Sequence, residues 1–498
     1  MLYSNLRRIA GEAPLSSGLR QGHEFHSYAS LAERVERLAA GFAARDLRPG
    51  DPVIVLVPNS PELFVIVHAL FAIGAIAVPL SPGATAAECD LAARKASARA
   101  FITLADRVGV IEEVAANLGD ATRLPVFVSG GNGSNAIATL ERTAPTRLPK
   151  IAGEMPALYL LSSGSTGLPK IVPHTHAELL SDAHRTSTAW GLTHEDVVFN
   201  MLPGNFAMGL LLGLVDAPQA GATTVYWSSA RPLILARRSL VDTLVEENVT
   251  VMGAVPTMYE ALVGTPGDDR LAAMRLAFSG GAALKRRTFE AFRDRFGVAL
   301  RQSYGSTEAI MVAHNDADDA DASWCSVGRP AGDAEVKIAP VEMAPAPDVG
   351  ELLIRSSSVT AGYLHEPALN SVAFPDGWLR SGDLARLDTA GNIFIEGRLK
   401  LLIEVSGFKV DPLEVEDVLQ LHPAVAEAVV VGARSSRDSE RSLKAIVVRR
   451  DDVSTGQLTR YLREQLSAHK VPGLIEFRDA LPKSSAGKIM RSQLGDDA

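Results

Sequence analysis

Continuous apolar runs set the first limit on what this chain can fold into. Val53 to Val57, Ala100 to Thr103, Pro125 to Val128 and Ala157 to Leu161 lack the alternation of a half-exposed strand, so they read as strands buried on both faces. Between them lie segments with helical spacing. Ser30 opens a capping box with Glu33, and Leu31, Val35, Leu38 and Phe42 follow on one face. Strands alternating with helices predict an α/β sheet covered on both faces. Leu63 to Leu80 is nearly all apolar and close to the ~20 residues that span a bilayer. It also contains His68 and Gly74 and has Pro79 near its end, so it is read as a buried helix followed by a short strand, Ala75 to Val78.

Ser129 to Lys150 is rich in Gly, Asn, Ser, Thr and Pro and reads as a surface connection. A second alternating block runs from about Ala157 to Leu300. From Cys325 to Ile395 the pattern changes to short strands separated by Gly-Asp, Pro-Asp and Asp-Gly turns, which predicts a small β-rich lobe. Near Leu401 a further block begins. Asp411 suits an N-cap, Pro412 the first helical position, and Glu414 completes the capping pattern. Strands at Ala426 to Val431 and Leu443 to Val448 and a helix from about Thr455 to Leu466 follow. The expected fold class is α/β: a large N-terminal domain of α/β sheets with the β-rich lobe, and a small α+β C-terminal domain. A chain of 498 residues exceeds one core, and the boundary falls at Gly397 to Lys400. The divisions are therefore 1–397, a link at 398–400, and 401–498.

Composition narrows the function classes. A net charge of -9 argues against a nucleic-acid or anionic-membrane surface. Cys89 and Cys325 are the two cysteines. That number excludes a disulfide framework or a cysteine zinc site and fits a reducing compartment; both are expected as buried free thiols. Met1 to Glu12 carries no apolar core or cleavage site of a secretory signal, so a cytoplasmic location is expected. His314 to Asp321 packs four aspartates beside a histidine but lacks the Gly and Glu spacing of an EF-hand, and reads as a solvated loop.

The chemistry-bearing stretch is Ser162-Ser163-Gly164-Ser165-Thr166-Gly167-Leu168-Pro169-Lys170, directly after an apolar strand. Its glycines free the backbone, and its hydroxyls and lysine can hold a polyphosphate. It lacks the Gly-Lys-Ser/Thr ending of the kinase-type phosphate loop. Four more patches follow: Tyr304-Gly305-Ser306-Thr307-Glu308, Ser381-Gly382-Asp383, Gly397-Arg398-Leu399-Lys400 and Pro482-Lys483-Ser484-Ser485-Ala486-Gly487-Lys488. Together, in order and spacing, they resemble the core motifs of the adenylate-forming superfamily, which includes acyl- and aryl-CoA ligases, peptide-synthetase adenylation domains and luciferases. The resemblance runs from about residue 25 to 495.

The resemblance implies an ATP-dependent acid–thiol ligase that makes an acyl-AMP with release of pyrophosphate and then a thioester. It assigns the β- and γ-phosphates to Ser162, Ser163, Gly164, Ser165, Thr166, Gly167 and Lys170, and the α-phosphate to Thr307. Glu308 would bind Mg2+, as a hard cation prefers carboxylate oxygen. Asp383 would take the ribose hydroxyls and Arg398 ribose or phosphate. Tyr304 and the turn Gly280-Gly281-Ala282 would flank the adenine; by chemistry alone Tyr304 could equally be core. Lys488 would bridge carboxylate and phosphate oxygens, against the plainer reading of a solvated loop lysine. Lys400 would be the hinge about which the C-terminal domain rotates, bringing Gly407 and Lys409 to the site to meet a pantetheine arm.

The acid pocket is read at Asn205, Phe206 and Met208, with Ser279 and Gly305. Asn-aromatic-Ala-Met resembles enzymes that activate hydroxybenzoates, and Ile171 departs from most relatives in the same direction. The competing reading makes Phe206 and Met208 core residues, with Asn205 capping a turn. Val405 to Val410 resembles CoA ligases, which favours CoA; loading of a carrier protein is the second reading. A nucleotide-binding relative without catalysis is the alternative of another class, and it conflicts with the presence of Lys488, Glu308, Asp383 and Arg398. A monomer or homodimer is expected, with no membrane span and no nucleic-acid partner.

Overall fold

The computed structural model describes residues 1–118, 124–162, 170–227, 229, 231, 233–267, 270–342, 346–399, 403–405, 408–410, 412–434, 441–466, 470–483 and 489–494. Two central sheets carry the large N-terminal part. The first orders its six strands as Val126–Ser129, Ala100–Leu104, Pro52–Leu56, Ile76–Pro79, Pro156–Ser162 and Lys170–Thr175. The first five pair in parallel and the last is antiparallel to its neighbour. Every residue of Pro52–Leu56 is buried, as a parallel strand covered on both faces must be.

The apolar stretch after it is the helix Pro61–Ile73 and the strand Ile76–Pro79. Ser60 caps the helix through Leu63 N, Pro61 opens it, and Gly74 closes it at φ 76. All its residues except Glu62 are buried; side chains the size of Phe64 or Phe71 contribute roughly 1.5–3 kcal/mol each on leaving water. This explains the hydropathy without a bilayer, and no described helix is long and apolar enough to cross a membrane.

The second sheet has nine strands in the order Arg329–Pro330, Ile310–His314, Leu300–Ser306, Leu276–Ser279, Val251–Ala254, Val197–Asn200, Thr223–Tyr226, Gly18–Gln21 and Glu24–Ser27. Its hairpin, Leu300–Ser306 with Ile310–His314, turns through Thr307 and Glu308. The β-rich lobe is a four-stranded antiparallel sheet, Glu335–Ala339, Gly350–Arg355, Leu379–Leu387 and Ile393–Arg398. The C-terminal part pairs Val425–Arg434, Arg441–Arg449 and Leu474–Phe477 with the helices Pro412–Leu421 and Thr455–Gln465. It buries its own core, including Val415, Leu419, Val447, Leu458 and Leu462. It meets the larger part where the Lys285 ammonium and the Arg287 guanidinium reach Gln420.

Two expectations change. The second helix spans Tyr28–Ala43, with Ser27, not Ser30, as its cap. Glu33 is exposed. Starting earlier buries Tyr28 to 1% and lets its hydroxyl donate to Ala222 O at 2.5 Å, which outweighs the alternative box. Cys89 is buried, but Cys325 is exposed, because it lies on the loop between two strands of the hairpin sheet. In the acidic stretch before it, Asp316, Asp318, Asp319 and Asp321 are exposed, while His314 is buried with its Nδ1 2.8 Å from Ser303 Oγ. Asp411 lies outside the described residues.

Candidate active site

Two clusters of polar side chains form at strand ends. Ser162 and Lys170 face each other across the hairpin Pro156–Ser162/Lys170–Thr175. Ser163, Gly164, Ser165, Thr166 and Gly167, which join them, lie outside the described residues. The Lys170 ammonium sits 4.8 Å from the centre of the Tyr363 ring, a cation–π contact worth roughly 0.5–2 kcal/mol. The Tyr363 hydroxyl donates to Glu308 Oε1 at 2.9 Å. Burial and the adjacent Glu308 carboxylate raise the Tyr363 phenol above its ordinary range, so it stays a donor. Thr307 is held through its carbonyl, which accepts from His174 Nε2 at 2.8 Å.

A second cluster forms where the lobe meets the nine-stranded sheet. Asp383 and Arg398 are register partners on adjacent lobe strands. Arg398 Nε donates to Asp383 Oδ1 at 2.7 Å, and the Tyr304 hydroxyl donates to Oδ2 at 2.5 Å. Ser381 Oγ takes the Asp383 amide at 3.0 Å. Asp383 is only 4% exposed, yet each carboxylate oxygen keeps a second lone pair for a ligand hydroxyl. Burial, reinforced by Asp383, holds the Tyr304 phenol well above its ordinary value. Tyr304 is therefore neither plain core nor free: it is a fixed donor within this cluster.

The apolar wall is built on the turn after Leu276–Ser279. A Cβ at Gly280 would lie 3.2 Å from Met208 Sδ and 3.3 Å from Ser303 O; one at Gly281, where φ is 76, would lie 3.2 Å from the Phe206 ring. Glycine here lets Phe206 and Met208 lie against the backbone near the Ser303 carbonyl, while Ala282 is exposed. Ser279 is buried, and its hydroxyl has no partner among the described residues. Asn205 is half-buried in a turn closed by the Phe206 amide on Pro203 O at 3.1 Å; the short helix that follows, Ala207–Leu211, has Phe206 at its N-cap position, with no side-chain bond. Gly305 serves the hairpin, since a Cβ there would fall 2.0 Å from Ile310 O.

Several site residues carried no sequence signal. Tyr363 belongs to no motif. Asn59 donates to Leu202 O at 3.1 Å and Gly209 O at 2.8 Å, and Asn200 donates to Gly209 O at 2.8 Å; together they hold the segment that carries Phe206 and Met208. The helix Ala207–Leu211 runs on into a π-helical turn, Leu212–Asp216, an insertion that recurs at functional sites. Lys400, Gly407 and Lys488 lie outside the described residues. Lys409 lies in the strand Phe408–Val410, opposite Glu404.

Known proteins resemble this chain along nearly its whole length. Residues 7–364 match the family model "AMP-binding enzyme", and residues 414–488 match "AMP-binding enzyme C-terminal domain". Feruloyl-CoA synthase from Amycolatopsis sp is 30% identical, over 98% of this chain and 97% of its own. The ATP-bound crystal structure of MatB from Rhodopseudomonas palustris superposes with a TM-score of 0.89 at 26% identity, covering 99% of this chain and 98% of that one. The o-succinylbenzoate CoA synthetase of Bacillus subtilis, solved with ATP and magnesium ion, gives 0.86 at 26% identity, with 98% of each chain covered.

Proposed function

The chain belongs to the AMP-binding enzyme family and is an AMP-forming acid–CoA ligase that uses ATP, Mg2+ and CoA, and we propose that the acid it activates is aromatic. The observation that carries this reading is the wall of Phe206 and Met208 against Gly280 and Gly281, near the Ser303 carbonyl. An apolar wall of a ring and a thioether, with the Asn205 amide next to it in the chain, suits an aromatic acid bearing a hydroxyl. The relatives named for feruloyl and o-succinylbenzoyl thioesters lend the same support.

Within that reading the residues take these roles. A carboxylate must approach the α-phosphate of ATP against like charge, so cations and donors must offset the repulsion. Lys170 and the hydroxyls of Ser162, Ser163, Ser165 and Thr166 hold the outer phosphates, and Gly164 and Gly167 permit their close approach. Thr307 contacts the α-phosphate, Asp383 the ribose, Arg398 ribose or phosphate, and Gly280 to Ala282 the adenine. The Glu308 carboxylate has one oxygen engaged by Tyr363, which leaves the other suited to Mg2+; bound there, the ion would supply charge neutralisation. Lys488 steadies the carboxylate and phosphate oxygens as charge develops. Residues 1–397 form the adenylating body and 401–498 a mobile domain that turns about 398–400, with Lys400 as pivot and Gly407 and Lys409 on the face that receives the thiol. We place the enzyme in the cytoplasm, with CoA rather than a carrier protein as acceptor.

Mass spectrometry of products over hydroxybenzoates, cinnamates and aliphatic acids, with CoA or a phosphopantetheine carrier protein, tests this. Aryl-CoA formation that weakens in Asn205→Ala is expected. Thioesters from aliphatic acids alone would sink the aromatic reading, and exclusive acylation of the carrier would sink the choice of CoA.

A further inference from the structure

The turn 306–311 carries Thr307 and Glu308, and four of its main-chain polar groups are held from outside. The Thr307 carbonyl accepts from His174 Nε2, and the Glu308 carbonyl from the Thr360 amide at 2.9 Å. The Ala309 carbonyl accepts from Ser358 Oγ at 2.9 Å, and the Ala309 amide donates to Ser306 Oγ at 3.2 Å. The Met311 amide donates to Asp182 Oδ1 at 3.1 Å. Between these anchors Ile310 adopts φ 56. A β-branched residue holds left-handed backbone only where its surroundings over-determine it.

One side chain links the anchors. Arg185, 3% exposed on the helix His176–Ala189, donates to Asp182 Oδ1 at 2.8 Å, to Asp333 Oδ1 at 2.7 Å and to Ser358 Oγ. Gly332, at φ 56, makes room for it: a Cβ there would lie 2.8 Å from Arg185 Cγ. A buried guanidinium is costly unless its charge and donors are answered. Here two carboxylates and a hydroxyl answer its two terminal nitrogens, while Nε has no partner among the described residues, and two of those three groups reach on to the turn.

We propose that Arg185 is a positioning residue for adenylation: through Asp182 and Ser358 it locks the backbone of 309–311, and so fixes the directions in which Thr307 and Glu308 face the nucleotide. The proposal rests on the adenylating role given to those two residues. Arg185 touches no substrate. Its fork is the feature required, since one group must serve Asp182, Asp333 and Ser358 at once, and the single ammonium of lysine cannot span them.

Arg185→Lys tests this, with the milder Ser358→Ala as a second variant that removes one link without unpairing a buried charge. Amide hydrogen exchange reads the lock, and electron paramagnetic resonance of Mn2+–ATP reads its consequence. Exchange at Ala309 and Met311 should quicken at least ~10-fold in Arg185→Lys, and Mn2+–ATP binding should weaken several-fold. Thioester formation from a supplied acyl-adenylate, which keeps only the α-phosphate contact of Thr307 and needs no ion at Glu308, should fall by less than Mn2+–ATP binding does; an equal fall in both would mark a merely structural lesion and overturn the proposal. Ser358→Ala should shift the first two readouts in the same direction, by less. Unchanged amide exchange, or loosened amides with unchanged Mn2+–ATP binding, would overturn the proposal. Wild-type protein that activates no acid would refute the functional reading instead, while exchange and Mn2+–ATP binding would still decide the role of Arg185.

Discussion

The two walls of the cleft are built by different physics. On the nucleotide side, Tyr304, Asp383 and Arg398 form one charged cluster, and Lys170, Tyr363 and Glu308 form another. Directional bonds place each group, and a lost partner leaves a charge or a donor unanswered. On the acid side, Phe206 and Met208 rest on bare glycine backbone, held there by contact and by the two asparagines behind them. Packing tolerates exchange of like-sized groups. A ligase family can therefore keep one ATP site and vary its acids by changing the second wall.

Removing the centre of the first wall should have the largest effect. Asp383→Ala removes the carboxylate that orients the Arg398 guanidinium and the Tyr304 hydroxyl; acid-dependent ATP–pyrophosphate exchange should fall by about 100-fold or more, chiefly through ATP. A small change would mean that Arg398 alone suffices.

Burial beyond the site also makes a testable statement about pH. His68, His176 and His314 are each held down to about 4 by burial, from an ordinary 6.5. The folded value lies below the unfolded one, so their stabilisation is full above 6.5 and is lost as pH falls toward 4. At pH 5 this costs roughly 2 kcal/mol per histidine. Asp182, raised to about 6 by burial against the pull of Arg185, works the other way: its contribution is present below an ordinary 3.8 and is lost as pH rises through 6. Burial also raises Asp216 well above its ordinary value, and raises Glu416 and Asp417, so these act with Asp182 and the histidines are best read one by one: NMR ring signals of His68, His176 and His314 should stay those of neutral imidazole at pH 5.5. Rings that titrate near an ordinary 6.5 would contradict their burial.

Phe206→Ala should raise the KM for the acid about 10-fold and spare the KM for ATP, since a hydrophobic contact is worth ~1–3 kcal/mol. Tyr363→Phe keeps the ring under Lys170 and loses only the bond to Glu308. A few-fold rise in the Mg2+ needed for half-maximal rate is expected, and a much larger fall would show that Tyr363 contacts substrate.

The same division decides what the sequence could reveal. Tyr304, Asp383, Arg398, Glu308 and Lys170 stand in motifs because fixed chemistry needs fixed residues at fixed strand ends, and the structure gathers them into two clusters, Tyr304 with Asp383 and Arg398, and Glu308 with Lys170 through Tyr363. Buried strands such as Pro52–Leu56 were equally plain, within a residue of the expected bounds. Tyr363, Asn59, Asp182 and Arg185 were silent. Each is a lone polar residue whose meaning depends on a partner 55 to 150 positions away. The Ser30 box failed for a related reason: a local capping pattern lost to burial of Tyr28 against Ala222, in a distant part of the chain.

The most direct measurement is ATP–pyrophosphate exchange with an aromatic acid, titrating ATP and acid separately in Asp383→Asn and Phe206→Ala. The expected result is a crossed pattern: Asp383→Asn raises the KM for ATP with little change for the acid, and Phe206→Ala does the reverse. Parallel changes in both constants for both variants would contradict a cleft with two independently built walls.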